Sequence, residues 1–86
     1  MPTLVTAEDL VYVSAKNDRA ILVYRFDDSA LFLKQKLQLP AEPGALTFLK
    51  DRHLLLVALR SSGELASCKV DPKTGRLKLL NIVSAG

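Results

Sequence analysis

Apolar residues occur in short runs that polar turns separate, most plainly between His53 and Leu80. An unbroken apolar run is followed there by two mixed runs: Leu54–Leu59, Glu64–Asp71, and a segment from Leu77 to Val83. The connecting segments, Ser61–Gly63 and Pro72–Arg76, are rich in turn-forming residues. Runs of this length between turn residues predict three antiparallel strands joined in chain order as a meander.

The preceding part of the chain has the same organisation. Its predicted strands are Leu10–Ser14, Ala20–Phe26, Leu31–Gln38 and Ala45–Leu49. The segment Pro40–Gly44 contains two prolines and a glycine, which oppose both helix formation and ladder pairing, so it separates two units. No window of eleven residues has a helical period. The sequence therefore predicts an all-β fold of four-stranded antiparallel meanders.

The two units are copies of one pattern. A shift of 44 residues places Leu10 on Leu54 and Asp27 on Asp71, and after the next turn a shift of 46 places Leu31 on Leu77. A repeat of 40 to 50 residues made of four short strands is typical of a β-propeller blade. We expect a first blade at residues 1–40 and a second at 45–86. Only a few N-terminal residues are available for the innermost strand of the first blade, so it is weak or missing.

Two blades cannot close a ring. The unbroken run Leu54–Leu59 predicts a strand that is buried on both faces, which requires neighbours on both sides. Each outer face would otherwise expose an apolar patch that a monomer rarely tolerates. We therefore expect either the N-terminal piece of a longer propeller or one protomer of an assembly. Its partners would be the remaining blades of the same propeller or further copies of the chain.

Composition excludes several classes of protein. The hydrophobic fraction is 49% and the mean hydropathy +0.18, which favours a folded chain. Twelve basic residues against nine acidic ones give a net charge of +3, but they are scattered and aromatic residues are few, so no nucleic-acid partner is expected. The first nine residues lack a basic n-region and include two acids, so no signal peptide is expected, and no run approaches the ~20 apolar residues of a membrane span. We expect no membrane contact and a cytoplasmic location.

The single cysteine, Cys68, excludes an internal disulfide and a Cys-x-x-Cys metal site, which fits a reducing compartment. Its expected role is that of a small buried apolar side chain. The acidic residues lie in turns, where carboxylates commonly cap the backbone, and their spacing matches no calcium loop. We therefore expect neither a metal nor a cofactor.

The segment Val70–Leu77, with the sequence VDPKTGRL, carries a family resemblance. This segment resembles the outer hairpin of a blade in the bacterial lactonase family of seven-bladed β-propellers. The shared pattern is Asp, two variable residues, Thr-Gly, a variable residue and Leu. That family includes propeller-type 6-phosphogluconolactonases and carboxy-muconate lactonizing enzymes. Asp27–Leu31 is similar to a shortened version of this hairpin. Two other runs also resemble the family: the one that begins at Leu10 and continues to Asp27, and LLLVALR, which ends at Arg60. The resemblance covers essentially the whole chain but only the first two of seven blades.

The resemblance implies a hydrolase that acts on a sugar-acid lactone such as 6-phosphogluconolactone. It implies no metal, and it places the acid and base residues in later blades, so this chain alone should be inactive. Arg60 is the best substrate-binding candidate, because the family often has an arginine at this strand end and a guanidinium suits phosphate or carboxylate. Lys16 is its equivalent in the first unit. Arg60 would otherwise be an ordinary strand-end arginine, and the one histidine, His53, an ordinary turn residue.

Two further interpretations remain open. The blades could form a non-catalytic binding or scaffold module, in which case even the complete ring would not turn over a lactone. The chain could also be an independent short protein that self-assembles. The segment Ile82–Gly86 corresponds to the start of a connector toward another blade, which favours continuation of the chain.

Overall fold

The computed structural model describes residues 4–7 and 9–85. It contains eight strands: β1 (Leu4–Ala7), β2 (Leu10–Ala15), β3 (Ala20–Asp27), β4 (Ala30–Gln38), β5 (Pro43–Leu49), β6 (Leu54–Leu59), β7 (Glu64–Val70) and β8 (Leu77–Ser84). Within these residues, helical geometry is confined to one 3-10 turn, Lys50–Arg52. The strands form two four-stranded antiparallel sheets, ordered β1-β2-β3-β4 and β5-β6-β7-β8. The predicted all-β class of four-stranded meanders is confirmed.

The two sheets repeat each other down to their irregularities. β2 and β6 have the same length and lie 44 residues apart. In each sheet the register between the third and fourth strands shifts, so that one residue of the fourth strand is skipped: Lys34 in the first sheet and Leu80 in the second. The skipped residues lie 46 apart, and the pairs they face, Val23–Tyr24 and Ser67–Cys68, lie 44 apart. A β-bulge at one place in both sheets bears out the internal repeat.

The hydrophobic core lies between the two sheets. Alternation along each strand directs one set of side chains into this interface and the other set away from it. The fully buried side chains of the first sheet include Tyr12, Ile21 and Val23. Those of the second sheet include Leu55, Val57, Leu59 and Cys68, and all belong to one continuous cluster. Neither sheet therefore has a hydrophobic core of its own.

Polar contacts link the sheets at both ends of this core. Ser14 Oγ donates a hydrogen bond to the Gly44 carbonyl at 2.6 Å, and Tyr12 Oη donates to the Gly75 carbonyl at 2.8 Å. The Gln35 amide makes two bonds to the main chain of Leu77, donating to its carbonyl at 2.8 Å and accepting from its N–H at 2.7 Å. Directional bonds of this kind fix the position of one sheet on the other, which apolar packing alone does not.

Two expectations need correction. Pro43 and Gly44, predicted to lie in a connector that resists pairing, are the first residues of β5. Pro43 is tolerated there because it begins an edge strand, and a register shift between Pro43 and Leu46 absorbs the irregularity. The strand Leu54–Leu59 was expected to be buried on both faces, but its burial alternates between buried and half-buried. Only one of its faces is covered by a sheet of the same chain.

Candidate functional site

The two predicted cations follow equivalent strands at one end of the molecule. Lys16 follows β2, Arg60 follows β6, and both residues are exposed. The end of β2 meets the second sheet where Ser14 bonds to Gly44, and the Arg60 side chain lies against the same Gly44. The structure therefore brings the ends of β2 and β6 to the same end of the interface between the two sheets.

Arg60 is held by its main chain and by its aliphatic stem. Its N–H donates to the Glu42 carbonyl at 2.9 Å, and the neighbouring Ser61 Oγ accepts a hydrogen bond from the Glu42 N–H at 2.8 Å. A Cβ atom added to Gly44 would collide with Arg60 Cδ and Cγ, so a side chain there would displace the arginine stem from its present position. The turn and the connector before β5 thus position Arg60, while the residue remains exposed to a solute.

Lys16 is placed less firmly. It begins the turn between β2 and β3, where its carbonyl accepts a hydrogen bond from the Arg19 N–H at 3.1 Å. Arg19 has a left-handed φ of 51°, which closes the turn. Lys16 therefore adds positive charge at this end of the molecule, without the side-chain support that Gly44 gives to Arg60.

A cleft of about 300 Å³ lies between the sheets at the opposite end. Tyr12 and Phe48 line it, with ring centroids 6.3 Å apart and ring planes inclined by 21°. Lys50, His53 and Asp71 supply its charged and titratable groups. Sequence reasoning missed this cleft, because its walls come from separate turns and strands that share no motif. The one available signal was the polar turn before His53, which does not differ from an ordinary turn.

His53 is exposed and follows the 3-10 turn in a left-handed conformation, with φ of 52°. Its N–H donates to the Lys50 carbonyl at 3.3 Å, and its carbonyl accepts from the Val70 N–H at 2.8 Å. The histidine expected to be an ordinary turn residue therefore does end a turn, and it also lines the cleft.

The segment Asp71–Leu77 is a contact between the sheets. Asp71 Oδ1 accepts hydrogen bonds from the N–H groups of Lys73 at 2.8 Å and Thr74 at 3.2 Å, and these bonds lower the pKa of the Asp71 carboxyl. Gly75 has a φ of 78°, and a Cβ atom there would collide with the Leu10 side chain of the first sheet. The same glycine accepts the Tyr12 hydroxyl bond. This segment therefore has a structural role in joining the two sheets.

The buried titratable groups are not poised for catalysis. Burial raises the pKa of the Cys68 thiol to about 11, and burial outweighs the opposing charge of Arg25 to raise the pKa of Tyr12 to about 12. Both groups hold their protons at neutral pH, so neither is a nucleophile or a base there. Among the described residues, no three His, Cys, Asp or Glu side chains are grouped closely enough to hold a metal ion.

Comparison with models of known families shows to which protein family the chain belongs. The family model described as "Lactonase, 7-bladed beta-propeller" matches residues 3–85. The chain belongs to this lactonase family. Its two sheets are accordingly two blades, β1–β4 and β5–β8, as the sequence resemblance indicated. Comparison with curated proteins and with solved structures gives no significant match. Residues 4–7 and 9–85 contain no helix with the length and apolar character needed to cross a membrane.

Proposed function

We propose that this chain forms two blades of a propeller that hydrolyses a sugar-acid lactone with an anionic group, such as 6-phosphogluconolactone. The family match over residues 3–85 is the observation that carries this proposal. Lactone hydrolysis needs a base to activate water and a positive group near the carbonyl or the substrate anion. These blades supply candidates for the second requirement.

Arg60 is proposed to bind the anionic group of the lactone, and Lys16 to add positive charge beside it. The contact of the arginine stem with Gly44 supports this role, because a side chain that is already positioned loses less conformational freedom when it binds. A guanidinium can also make two parallel hydrogen bonds to a phosphate or carboxylate.

The reaction itself needs groups beyond these. Within the described residues, the buried thiol and phenol are protonated at neutral pH, and the Asp71 carboxylate already accepts two backbone hydrogen bonds. We propose that the chain alone is inactive and that the other blades supply the acid and base. The alternative is a non-catalytic binding module. It is favoured by the same protonated thiol and phenol and by the same hydrogen-bonded Asp71 carboxylate, and it predicts no turnover in the complete ring.

The test compares lactone hydrolysis by the 86-residue chain with hydrolysis by a complete propeller that carries these blades. The chain alone should not exceed the spontaneous rate. In the complete propeller, Arg60→Ala should raise KM about tenfold or more, since a charge-assisted hydrogen bond contributes roughly 1.5–3 kcal/mol. Arg60→Lys should recover part of the loss. Arg52→Ala, which removes an exposed arginine at the opposite end, is the matched control.

Three results would separate the interpretations. Full activity of the monomeric chain would overturn the need for other blades. An unchanged KM in Arg60→Ala would remove Arg60 from the site while leaving the lactonase assignment intact. A complete ring with no turnover of any sugar-acid lactone would favour the binding module.

A further inference from the structure

Each sheet has one face that no part of the described chain covers. The head face is the side of the first sheet turned away from the second, and it carries Val11, Val13, Leu22, Tyr24, Phe26 and Leu31. The tail face is the side of the second sheet turned away from the first, and it carries Leu56, Ala58, Leu65, Ser67, Asn81 and Val83. Leu31 is 56% exposed and Leu65 44%, and each belongs to a contiguous apolar face, which is the kind of surface that marks an interaction site.

The internal repeat relates both faces to the interface inside the chain. The first sheet contacts the second through Tyr12, Ile21, Val23 and Leu37, whose counterparts on the tail face are Leu56, Leu65, Ser67 and Val83. The second sheet contacts the first through Leu55, Val57, Cys68 and Leu77, whose counterparts on the head face are Val11, Val13, Tyr24 and Leu31. The tail face thus resembles the surface of the first sheet that contacts the second sheet. The head face resembles the surface of the second sheet that contacts the first sheet.

We propose that, where no other blade covers these faces, copies of this chain associate head to tail, with the tail face of one copy on the head face of the next. The occupant is a second copy because the chain already contains this contact once, between its own two sheets. A contact between two different surfaces leaves an unused head and an unused tail at the ends of the assembly, so further copies can add.

Asn81 is the polar contact that this arrangement would use. Its counterpart in the first sheet is Gln35, which makes the two bonds to the Leu77 main chain. Leu31 is the counterpart of Leu77, so Asn81 of one copy would face the Leu31 main chain of the next. Asn81 Oδ1 now accepts a bond from the adjacent Ile82 N–H at 2.9 Å, a local bond that association would exchange for an intermolecular one.

The contact between copies is weaker than the contact inside the chain. The counterparts of Tyr12 and Ser14 are Leu56 and Ala58, which cannot make the two hydroxyl bonds that link the sheets. The head face also carries Lys36, which is half exposed and lies 3.8 Å from Asp18. Two copies also lack the chain connection that holds the sheets at high effective concentration. Association should therefore depend strongly on protein concentration.

Sedimentation equilibrium of the 86-residue chain tests the proposal. The mean mass should rise above 9.4 kDa as the concentration rises from the micromolar to the millimolar range. Leu65→Lys on the tail face and Leu31→Lys on the head face should each shift the association midpoint to at least about tenfold higher concentration, because each buries a charge in the contact. Leu80→Lys is the control, since Leu80 is 51% exposed and its counterpart in the first sheet is already Lys34.

A mixture of the two face variants gives the decisive result. Leu65→Lys retains a head face and Leu31→Lys a tail face, so at the wild-type midpoint concentration the equimolar mixture should form a one-to-one dimer while each variant alone stays largely monomeric. A wild-type mass of 9.4 kDa throughout, or association of either variant at the wild-type midpoint, would overturn the proposal. So would a mixture that stays monomeric. If a lysine variant loses its dispersed amide spectrum, Leu65→Ser or Leu31→Ser takes its place with the same expected outcomes.

Discussion

At the scale of single residues, Tyr12 combines the two kinds of contact that join the sheets. Its ring is fully buried and stacks near Phe48, and its hydroxyl bonds to the buried Gly75. Tyr12→Phe keeps the ring but leaves the Gly75 carbonyl without this partner, so the free energy of unfolding should fall by about 1–2 kcal/mol. Urea denaturation measures the change. Tyr24→Phe removes a hydroxyl from the half-buried head face and should cost less than about 0.5 kcal/mol. Equal losses in the two variants would contradict the structural account.

The Cys68 thiol makes the free energy of unfolding depend on pH in the alkaline range. Its thiol pKa is raised from 9.0 to about 11 by burial, so the unfolded chain loses this proton at a lower pH than the folded chain does. A raised pKa contributes stability that is complete below about pH 9 and is lost as the pH rises toward 11. The free energy of unfolding should therefore decline in this window, by roughly 1–3 kcal/mol in total from the thiol.

Cys68→Ala isolates the thiol contribution. Urea denaturation between pH 7 and 10.5 should show a shallower decline in this variant, with the remainder coming from Tyr12, whose pKa is raised from 10.0 to about 12. The same slope in both proteins would show that the thiol does not contribute. Thiol reagents should label the folded wild-type chain only slowly, because the group is buried and protonated.

At the scale of elements, the turn between β7 and β8 explains the residues that carry the family resemblance. The Asp71 carboxylate accepts hydrogen bonds from the Lys73 and Thr74 N–H groups within the turn. Gly75 supplies the left-handed φ and the space for Leu10, and Leu77 is buried between the sheets. Gly75→Ala meets two obstacles, the backbone conformation and the collision with Leu10. We expect a loss of about 2–4 kcal/mol, of which the left-handed conformation accounts for about 1–2.

A double-variant cycle separates these two obstacles. Leu10→Ala in the Gly75→Ala background removes the collision, so the double variant bears the backbone cost at Gly75 and the packing lost with the Leu10 side chain. The double variant should therefore be less unstable than the sum of the two single variants, as measured by urea denaturation. Gly63→Ala is the control, because Gly63 has a φ of 68° with open space around it and should show the backbone cost alone. Additive losses at Gly75 and Leu10 would contradict the contact.

The sequence predicts the strands well because their apolar runs and turns are local signals. Leu54–Leu59 has the predicted bounds, and the other predicted strands differ from the observed ones by a few residues at most. The bulges at Lys34 and Leu80 could not be predicted, because a skipped residue changes register without changing composition. β5 begins earlier than predicted because edge strands accept proline at their first position, a rule that requires the sheet order to be known.

Prediction of the candidate site was limited in a similar way. The repeat places Arg60 and Lys16 at equivalent strand ends, and this placement follows from counting residues. The contact of Arg60 with Gly44 depends on the connector, whose path no local pattern specifies. The cleft beside His53 forms only when the sheets pack, so it requires the tertiary structure.

At the scale of the whole molecule, the shared core makes the two blades one folding unit. The first sheet buries Tyr12, Ile21 and Val23 only against the second sheet, so loss of one sheet exposes the apolar face of the other. A two-state transition with coincident probes is expected for such a chain, although it contains two structural repeats.

Val57→Ala tests this coupling, because Val57 is fully buried in the second sheet and its loss leaves a cavity in the interface. We expect a loss of about 1–3 kcal/mol. In native-state hydrogen exchange, the most protected amides of β3 in the first sheet should lose as much protection as those of β7 in the second, because both exchange through the same global opening. Val83→Ala, at an exposed position of β8, should leave both sets nearly unchanged at concentrations where the chain is monomeric. If β7 lost protection while β3 kept it, the blades would unfold independently and the core between them would not govern the stability of the chain.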